Sequence, residues 1–329
     1  ISDDSGTLQN YSYQGLGTAL NVTDGNGVQL DITQDAFGRT AEQNWSTSAA
    51  SIDDATYGYD RDGNRVYMAN GLSSSDSELY SYDDLNRLTT FARGTLNSAK
   101  DGLTGSSTRS QSWSLDVLGN SASVTTDGTS ESRDSNSQNE LTGVGSSTLT
   151  YDANGNTTTD ESGKQYVYDA WNHVVQVKNA SNSTIQTYAY DARGYRVKEG
   201  TTSVYYTAAW QEIEDRNAAG DTTTQYVWSP AYIDSMIERD RDTDGNGTLD
   251  ERLYVEQDAN FNVTAITDAS GNVVERFEYD AYGKRTTLAE NWTGTTDAYA
   301  FQHGFQGGKL DPITGKIAFR NRSLDPDTG

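Results

Sequence analysis

Cysteine is absent from all 329 residues. That excludes disulfides, thiol nucleophiles and thiolate metal sites. Proline occurs only three times, at Pro230, Pro312 and Pro326, so strand pairing is rarely interrupted. Histidine occurs only at His173 and His303. Neither has a second histidine at metal-ligand spacing, and both read as turn or wall residues rather than catalytic ones. No apolar run approaches the roughly 18 residues of a membrane-spanning helix, so membrane insertion by helices is not expected. Basic charge is scarce: 24 Lys and Arg stand against 48 Asp and Glu, a net charge of −24. A nucleic-acid binder needs a basic face to displace counterions, and none is visible. Hydrophobic residues make up 33%, against roughly 45–50% in ordinary globular domains when glycine is included. A thick aliphatic core is therefore not expected. The first residue is Ile1 rather than Met, which reads as a processed product or a piece of a longer chain.

Aromatic residues are plentiful, with 21 Tyr, 7 Phe and 6 Trp. Disordered chains are poor in them, and pleated, half-buried surfaces favour them. They fall in a repeat. Residues 151–156 read YDANGN, 168–173 YDAWNH and 190–195 YDARGY. Ten sites share one rule: an Asp or Asn opens the site, and Gly or Asn follows at the third position. The pairs are Asp35/Gly38, Asp60/Gly63, Asp83/Asn86, Asp116/Gly119, Asn136/Asn139, Asp152/Gly155, Asp169/Asn172, Asp191/Gly194, Asp268/Gly271 and Asp280/Gly283. An acidic corner followed by a residue that accepts positive φ closes a three-residue hairpin with a bulge. Tyr59, Tyr82, Tyr151, Tyr168, Tyr190 and Tyr279 precede the corner. Flanks such as Gln165–Tyr168 and Val174–Val177 are short, β-branched or aromatic, as strands are. Regular recurrence of this kind signals a repeat architecture.

The Tyr-Asp-x-x-Gly/Asn pattern resembles the repeats of the Rhs/YD-repeat family. That family includes bacterial Rhs proteins, the C component of insecticidal toxin complexes, and the teneurins. The likeness is sharpest in Val273–Lys284, Phe305–Gly315 and Asn321–Gly329, where it is similar to the start of the Rhs-associated core element. The resemblance implies an all-β fold, a YD-repeat spiral of antiparallel β-hairpins forming a shell or open barrel-like wall. It divides the chain into a spiral over residues 1–270 and the start of the core element over 271–329, continuous with the same sheet. It implies no enzymatic activity, and a secreted or cell-surface location. The expected partner is a polypeptide client or a neighbouring repeat protein. An adhesin or fibre subunit that self-associates through sheet edges is the alternative. Bacterial relatives continue past the Asp-Pro-x-Thr-Gly element into motifs associated with toxin release, so Asp311, Asp325 and Asp327 receive no protease role.

One acidic stretch stands apart. Asp240, Asp242, Asp244, Asn246, Asp250 and Glu251 fit the spacing of a calcium-binding loop beginning at Asp240, so Ca²⁺ is a candidate cofactor. The flanks read as strands, Tyr232-Ile233 and Met236-Ile237 before the loop and Leu253–Val255 after it. The alternative is a solvated hairpin tip. Residues 95–112 and 125–135 read as polar loops, 285–300 as a loop or short helix, and 1–30 as edge strands.

Overall fold

The structure, a computed structural model, describes residues 1–3, 6–14 and 18–329. The edge-strand expectation for residues 4–5 and 15–17 lies outside the described residues. Among the described residues every strand pair is antiparallel, and within each sheet the strands pair in chain order. One order runs through thirteen strands from Gln9–Gln14 to Ser147–Thr148, and a second through fourteen from Thr150–Tyr151 to Arg285–Leu288. Helical structure among the described residues amounts to single 3₁₀ turns at Ser74–Asp76 and Phe305–Gly307. The all-β hairpin expectation holds.

All ten predicted turns form. In each, the N–H at the third position donates to the opening carbonyl, as Asn86 does to Asp83 at 2.9 Å and Gly155 to Asp152 at 3.1 Å. The third residue takes positive φ, 60° at Asn86 and 82° at Gly155, where an ordinary side chain is strained. The opening carboxylate then caps the loop. Asp83 Oδ1 accepts from the backbone of Leu85 and Arg87, both at 3.0 Å. These backbone and side-chain hydrogen bonds hold the Asp60, Asp83, Asp116 and Asp152 carboxyls below their ordinary pKa.

The tyrosine before the corner has its own job. Its hydroxyl donates back to the carbonyl just beyond the preceding turn. Tyr82 reaches Arg65 at 3.0 Å, Tyr151 reaches Leu141 at 2.7 Å, Tyr168 reaches Thr157 at 2.8 Å and Tyr279 reaches Val263 at 2.9 Å. Tyr206 does the same to Arg196 at 3.2 Å, and the Trp228 indole takes the tyrosine's part toward Glu212 at 2.5 Å. Each donated bond lies five residues past the opening residue of the earlier turn, so the rings stitch successive hairpins together. Neighbouring tips are also linked, through Asn64 to Asn86 at 2.8 Å and Asn156 to Asn172 at 2.9 Å.

Seven more turns share this geometry: Asp24/Gly27, Asp160/Gly163, Asn179/Asn182, Thr207/Trp210, Asn217/Gly220, Asp258/Phe261 and Ala289/Trp292. Three of them, at Thr207, Asn217 and Asp258, lie between the predicted turns at Asp191 and Asp268. Residues 125–135 are not a loop. Ser121–Thr126 and Thr129–Ser135 pair through a two-residue turn at Asp127 and Gly128, both at positive φ. Its Asp-Gly pair is a known hairpin signal, masked by the polarity of its flanks. Tyr232-Ile233 is not a strand; pairing starts at Met236. In residues 285–300, Arg285–Leu288 is a strand and no helix follows. The fourteen-strand order runs past residue 270 through Val273–Tyr279 and Arg285–Leu288, whereas Lys309–Leu310, Ile317–Phe319 and Arg322–Leu324 form a separate three-stranded sheet.

The chain divides into two compact units, residues 56–187 and residues 1–55 with 188–329. The first is thinly packed, with buried Phe91, Trp113, Val124, Val144, Tyr166 and Val177 supplied about one per strand. Within the second, N-terminal hairpins cover later strands. Trp45 Nε1 donates to the Gln257 carbonyl at 2.9 Å, and Arg276 Nη1 to that of Ile52 at 2.6 Å. Val22, Val28, Leu30, Trp45, Ile52 and Ala265 form one apolar cluster there. Leu253, Val255, Val263, Ile266, Phe277 and Phe301 belong to another.

The same turn position tolerates substitution differently according to what surrounds it. At Gly63 (φ 91°) an added Cβ meets nothing within 4 Å, whereas at Gly283 (φ 87°) it meets the Phe305 ring at 2.5 Å and Ile317 at 3.1 Å. Gly63→Asn will leave the melting temperature nearly unchanged. Gly283→Ala will lose about 2 kcal/mol or more from strain and overpacking together. Urea unfolding of the two variants checks this, and equal losses would contradict it.

Candidate functional site

The densest polar chemistry lies in the unit formed by residues 1–55 and 188–329. Residues 302–310 fold back on themselves, Gly304 N–H to the Gly308 carbonyl and Leu310 N–H to that of Gln302, both at 2.9 Å. This presents His303 and Lys309 to strands between Tyr188 and Trp228. Lys309 Nζ lies 2.7 Å from Glu212, 3.3 Å from Glu199 and 3.8 Å from Asp215. Lys309, Glu212 and Asp215 are all buried. Burial alone pulls the ammonium's pKa down, yet Glu212, Glu199 and Asp215 together outweigh it and hold Lys309 well above the usual lysine range. Burial, then repulsion from Glu212, pushes Asp215 up to about 8 against the pull of Lys309. The Tyr226 hydroxyl donates to Asp215 Oδ2 at 3.2 Å. The His303 ring meets Tyr226 and Trp228 edge-on at 4.8 and 5.5 Å. Burial and then Lys309 lower its pKa to about 3, so it stays neutral. Tyr188 closes the group by donating to Asp311.

This network is a buried anchor. With Lys309, Glu212 and Asp215 buried, it fixes residues 301–311 to the strands beneath them. His303 and Asp311 were legible as individual residues, but Lys309 and its three acids were not. Glu212 is 97 positions from Lys309, and no local pattern links them.

The calcium candidates separate. Asp240 and Glu251 lie in paired strands, Asp240 opposite Arg252 and Glu251 opposite Arg241. Asp240 binds Arg252 at 2.7 Å, and Glu251 binds Arg239 at 2.6 Å and Arg241 at 3.0 Å. The other four sit in an exposed tip. Asp242 accepts from the backbone of Gly245 and Gly247, each at 2.8 Å, Asp244 from Asn246 at 3.1 Å, and Asp250 from Thr243 at 2.8 Å. Among the described residues no group of three or more His, Asp or Glu is arranged to hold a metal. His173 follows a turn asparagine, with Nδ1 3.2 Å from Asp169. Asp325 and Asp327 pair with Lys316 at 2.6 Å and Lys284 at 2.5 Å.

No family model matches the chain. It is 28% identical over 239 residues to the tRNA3(Ser)-specific nuclease WapA of Bacillus spizizenii, covering 66% of this chain and 10% of that protein. It is 26% identical over 238 residues to the tRNA nuclease WapA of Bacillus subtilis, with the same coverage. The chain thus spans about a tenth of these relatives, and the nuclease activity in their names is that of the whole proteins. Among solved structures, the Photorhabdus luminescens Tc holotoxin pore matches with a TM-score of 0.76 and 16% identity, over 98% of this chain and 17% of that one. The TcdB2-TccC3-Cdc42 crystal structure matches with a TM-score of 0.76 and 17% identity, over 97% of this chain and 18% of that one.

Proposed function

We infer that this chain, which has the fold of a stretch of those Tc-toxin chains and is a hairpin repeat of the YD type, is a non-enzymatic wall segment of a secreted or cell-surface protein that encloses a polypeptide. The observation that carries this reading is the fold match over 97–98% of the chain. The chain's own chemistry supports it. Turn aspartates serve as caps, tyrosines as stitches, and the Lys309 network as an anchor, so the polar groups are occupied in holding the sheet. A wall of this kind needs dense backbone pairing rather than a thick core, which suits 33% hydrophobic residues. The test is limited proteolysis of the natural full-length protein. This segment, and a polypeptide retained with it, will survive trypsin concentrations that digest the denatured chain. Rapid cleavage throughout residues 56–187 would contradict the reading. Self-association through sheet edges, such as the strand Gln9–Gln14 at one end of its order, is the alternative. Concentration-dependent filaments in light scattering would favour it.

Calcium is proposed here for the hairpin tip alone, because Asp240 and Glu251 are engaged by arginines. Asp242, Asp244, Asn246 and Asp250 would turn oxygens from backbone amides to the ion, as a hard, oxygen-seeking cation requires. Calorimetry will show heat on calcium addition that Asp242→Ala abolishes. Absence of heat in the unmodified protein removes calcium from the account of this loop.

A further inference from the structure

A cavity of about 760 Å³ opens beside the turn Asp258–Asn262, lined by residues of four separate segments, Tyr232, Asp234, Asn260, Phe261, Arg320 and Arg322 among them. Its size falls in the range of small-molecule sites. At the position where ten predicted turns carry Gly or Asn, this one carries Phe261, at φ 61°. A bulky side chain there is strained. Its ring instead stacks on Tyr232, centroids 4.1 Å apart and planes 17° apart. Tyr232 is nonetheless 47% exposed, so the stack ends in a flat aromatic surface at the cavity. Arg320, also left-handed at φ 47°, is ion-paired to Asp234. Arg322 is exposed and has no carboxylate partner among the described residues. Two guanidiniums against one carboxylate leave this cavity positive by one charge, on a chain whose net charge is −24.

We propose that this cavity binds a planar aromatic ring carrying a carboxylate: the ring extends the Phe261–Tyr232 stack, and Arg322 grips the carboxylate. Parallel stacking favours a flat ring, and a free guanidinium matches a carboxylate in a two-bond fork. Two sources offer this chemistry, a free aromatic acid and the C-terminal aromatic residue of a polypeptide. The inference stands apart from the wall reading, since it rests on the cavity alone.

The test is titration calorimetry with 4-hydroxyphenylacetate for the first source, N-acetyl-L-tyrosine for the second, and N-acetyl-L-tyrosinamide as the uncharged control. At least one acid will bind, and whichever binds more tightly identifies the source. The amide will bind about tenfold more weakly than N-acetyl-L-tyrosine, and Arg322→Gln will weaken acid binding by about tenfold, as loss of a charged hydrogen bond implies. Phe261→Asn restores the residue type found at Asn86, Asn139 and Asn172, so the turn will hold its melting temperature while acid affinity falls. Binding of neither acid overturns the proposal. So does amide binding equal to that of N-acetyl-L-tyrosine, or unchanged acid affinity in Arg322→Gln.

Discussion

Lys309→Met will destabilise the unit formed by residues 1–55 and 188–329 by about 3–5 kcal/mol, the usual loss when one partner of a buried ion pair is removed. Methionine keeps the length and apolar stem of the side chain, so little of the loss comes from packing. It does remove the ammonium that lies 2.7–3.8 Å from Glu212, Glu199 and Asp215, leaving Glu212 facing Asp215 while Glu199 keeps Arg196 at 2.7 Å. In a unit of this size the loss corresponds to a fall of roughly 6–20 °C in melting temperature. The mechanism has a second signature. Adding Glu212→Gln to Lys309→Met will recover part of the stability, because the charge left uncompensated is then smaller. Differential scanning calorimetry of both variants decides the matter. A loss below about 1 kcal/mol in the single variant would mean that water or a rearranged neighbour replaces the ammonium.

Stability of the same unit will rise as pH falls from 8 to 5, the opposite of ordinary acid denaturation. The cause is a set of carboxyls buried where the N-terminal hairpins meet later strands. Burial, opposed by the 2.6 Å bond from Gln9 and reinforced by Glu238, pushes Asp24 up to about 7. Burial and then Asp240 push Glu238 up to about 7. Burial drives Glu256 well above its usual range despite its 2.7 Å bond from Thr267. A carboxyl whose folded pKa lies above its unfolded value binds protons more tightly when folded. Its favourable contribution is complete below the unfolded pKa, near 4, and is lost as pH climbs through the folded one, near 7. A tenfold change in proton affinity is worth about 1.4 kcal/mol, so Asp24 alone can account for about 4 kcal/mol across that window. The turn carboxylates of this unit at Asp35 and Asp268 act in the opposite sense. Their folded pKa values are lowered, so their contribution is present above about pH 4 and lost below it. The stability maximum therefore falls near pH 5. Asp24→Asn keeps an acceptor for Gln9 and removes one titrating group. It will raise stability at pH 8 and flatten the slope between pH 5 and 8. A variant that parallels the unmodified protein at every pH would contradict this assignment.

The turns were legible in sequence because their chemistry is local. An acidic corner and a residue tolerant of positive φ lie three positions apart, and ten such pairs form as read. Turns at Thr207/Trp210, Ala289/Trp292 and Asp258/Phe261 escaped because a large aromatic occupies the strained position. There the structure compensates elsewhere: Trp210 packs edge-on against Tyr195 at 4.1 Å, and Phe261 stacks on Tyr232. The tyrosine stitch escaped for a different reason. Its acceptor is a backbone carbonyl in the previous hairpin, which has no sequence signature. The acidic loop illustrates a limit of spacing alone. Asp240 and Glu251 match a ligand pattern by count, but strand pairing delivers arginines to both. Lys309 and its acids come together only through packing of residues 302–310 on strands some 90 or more positions earlier.

Amide hydrogen exchange across the whole chain tests the hairpin meander most directly. Slow exchange is predicted in both strands flanking each turn, interrupted at the turn apices by fast amides from Asp24 to Ala289. Protection running unbroken across those apices, or fast exchange throughout Thr56–Thr187, would contradict it.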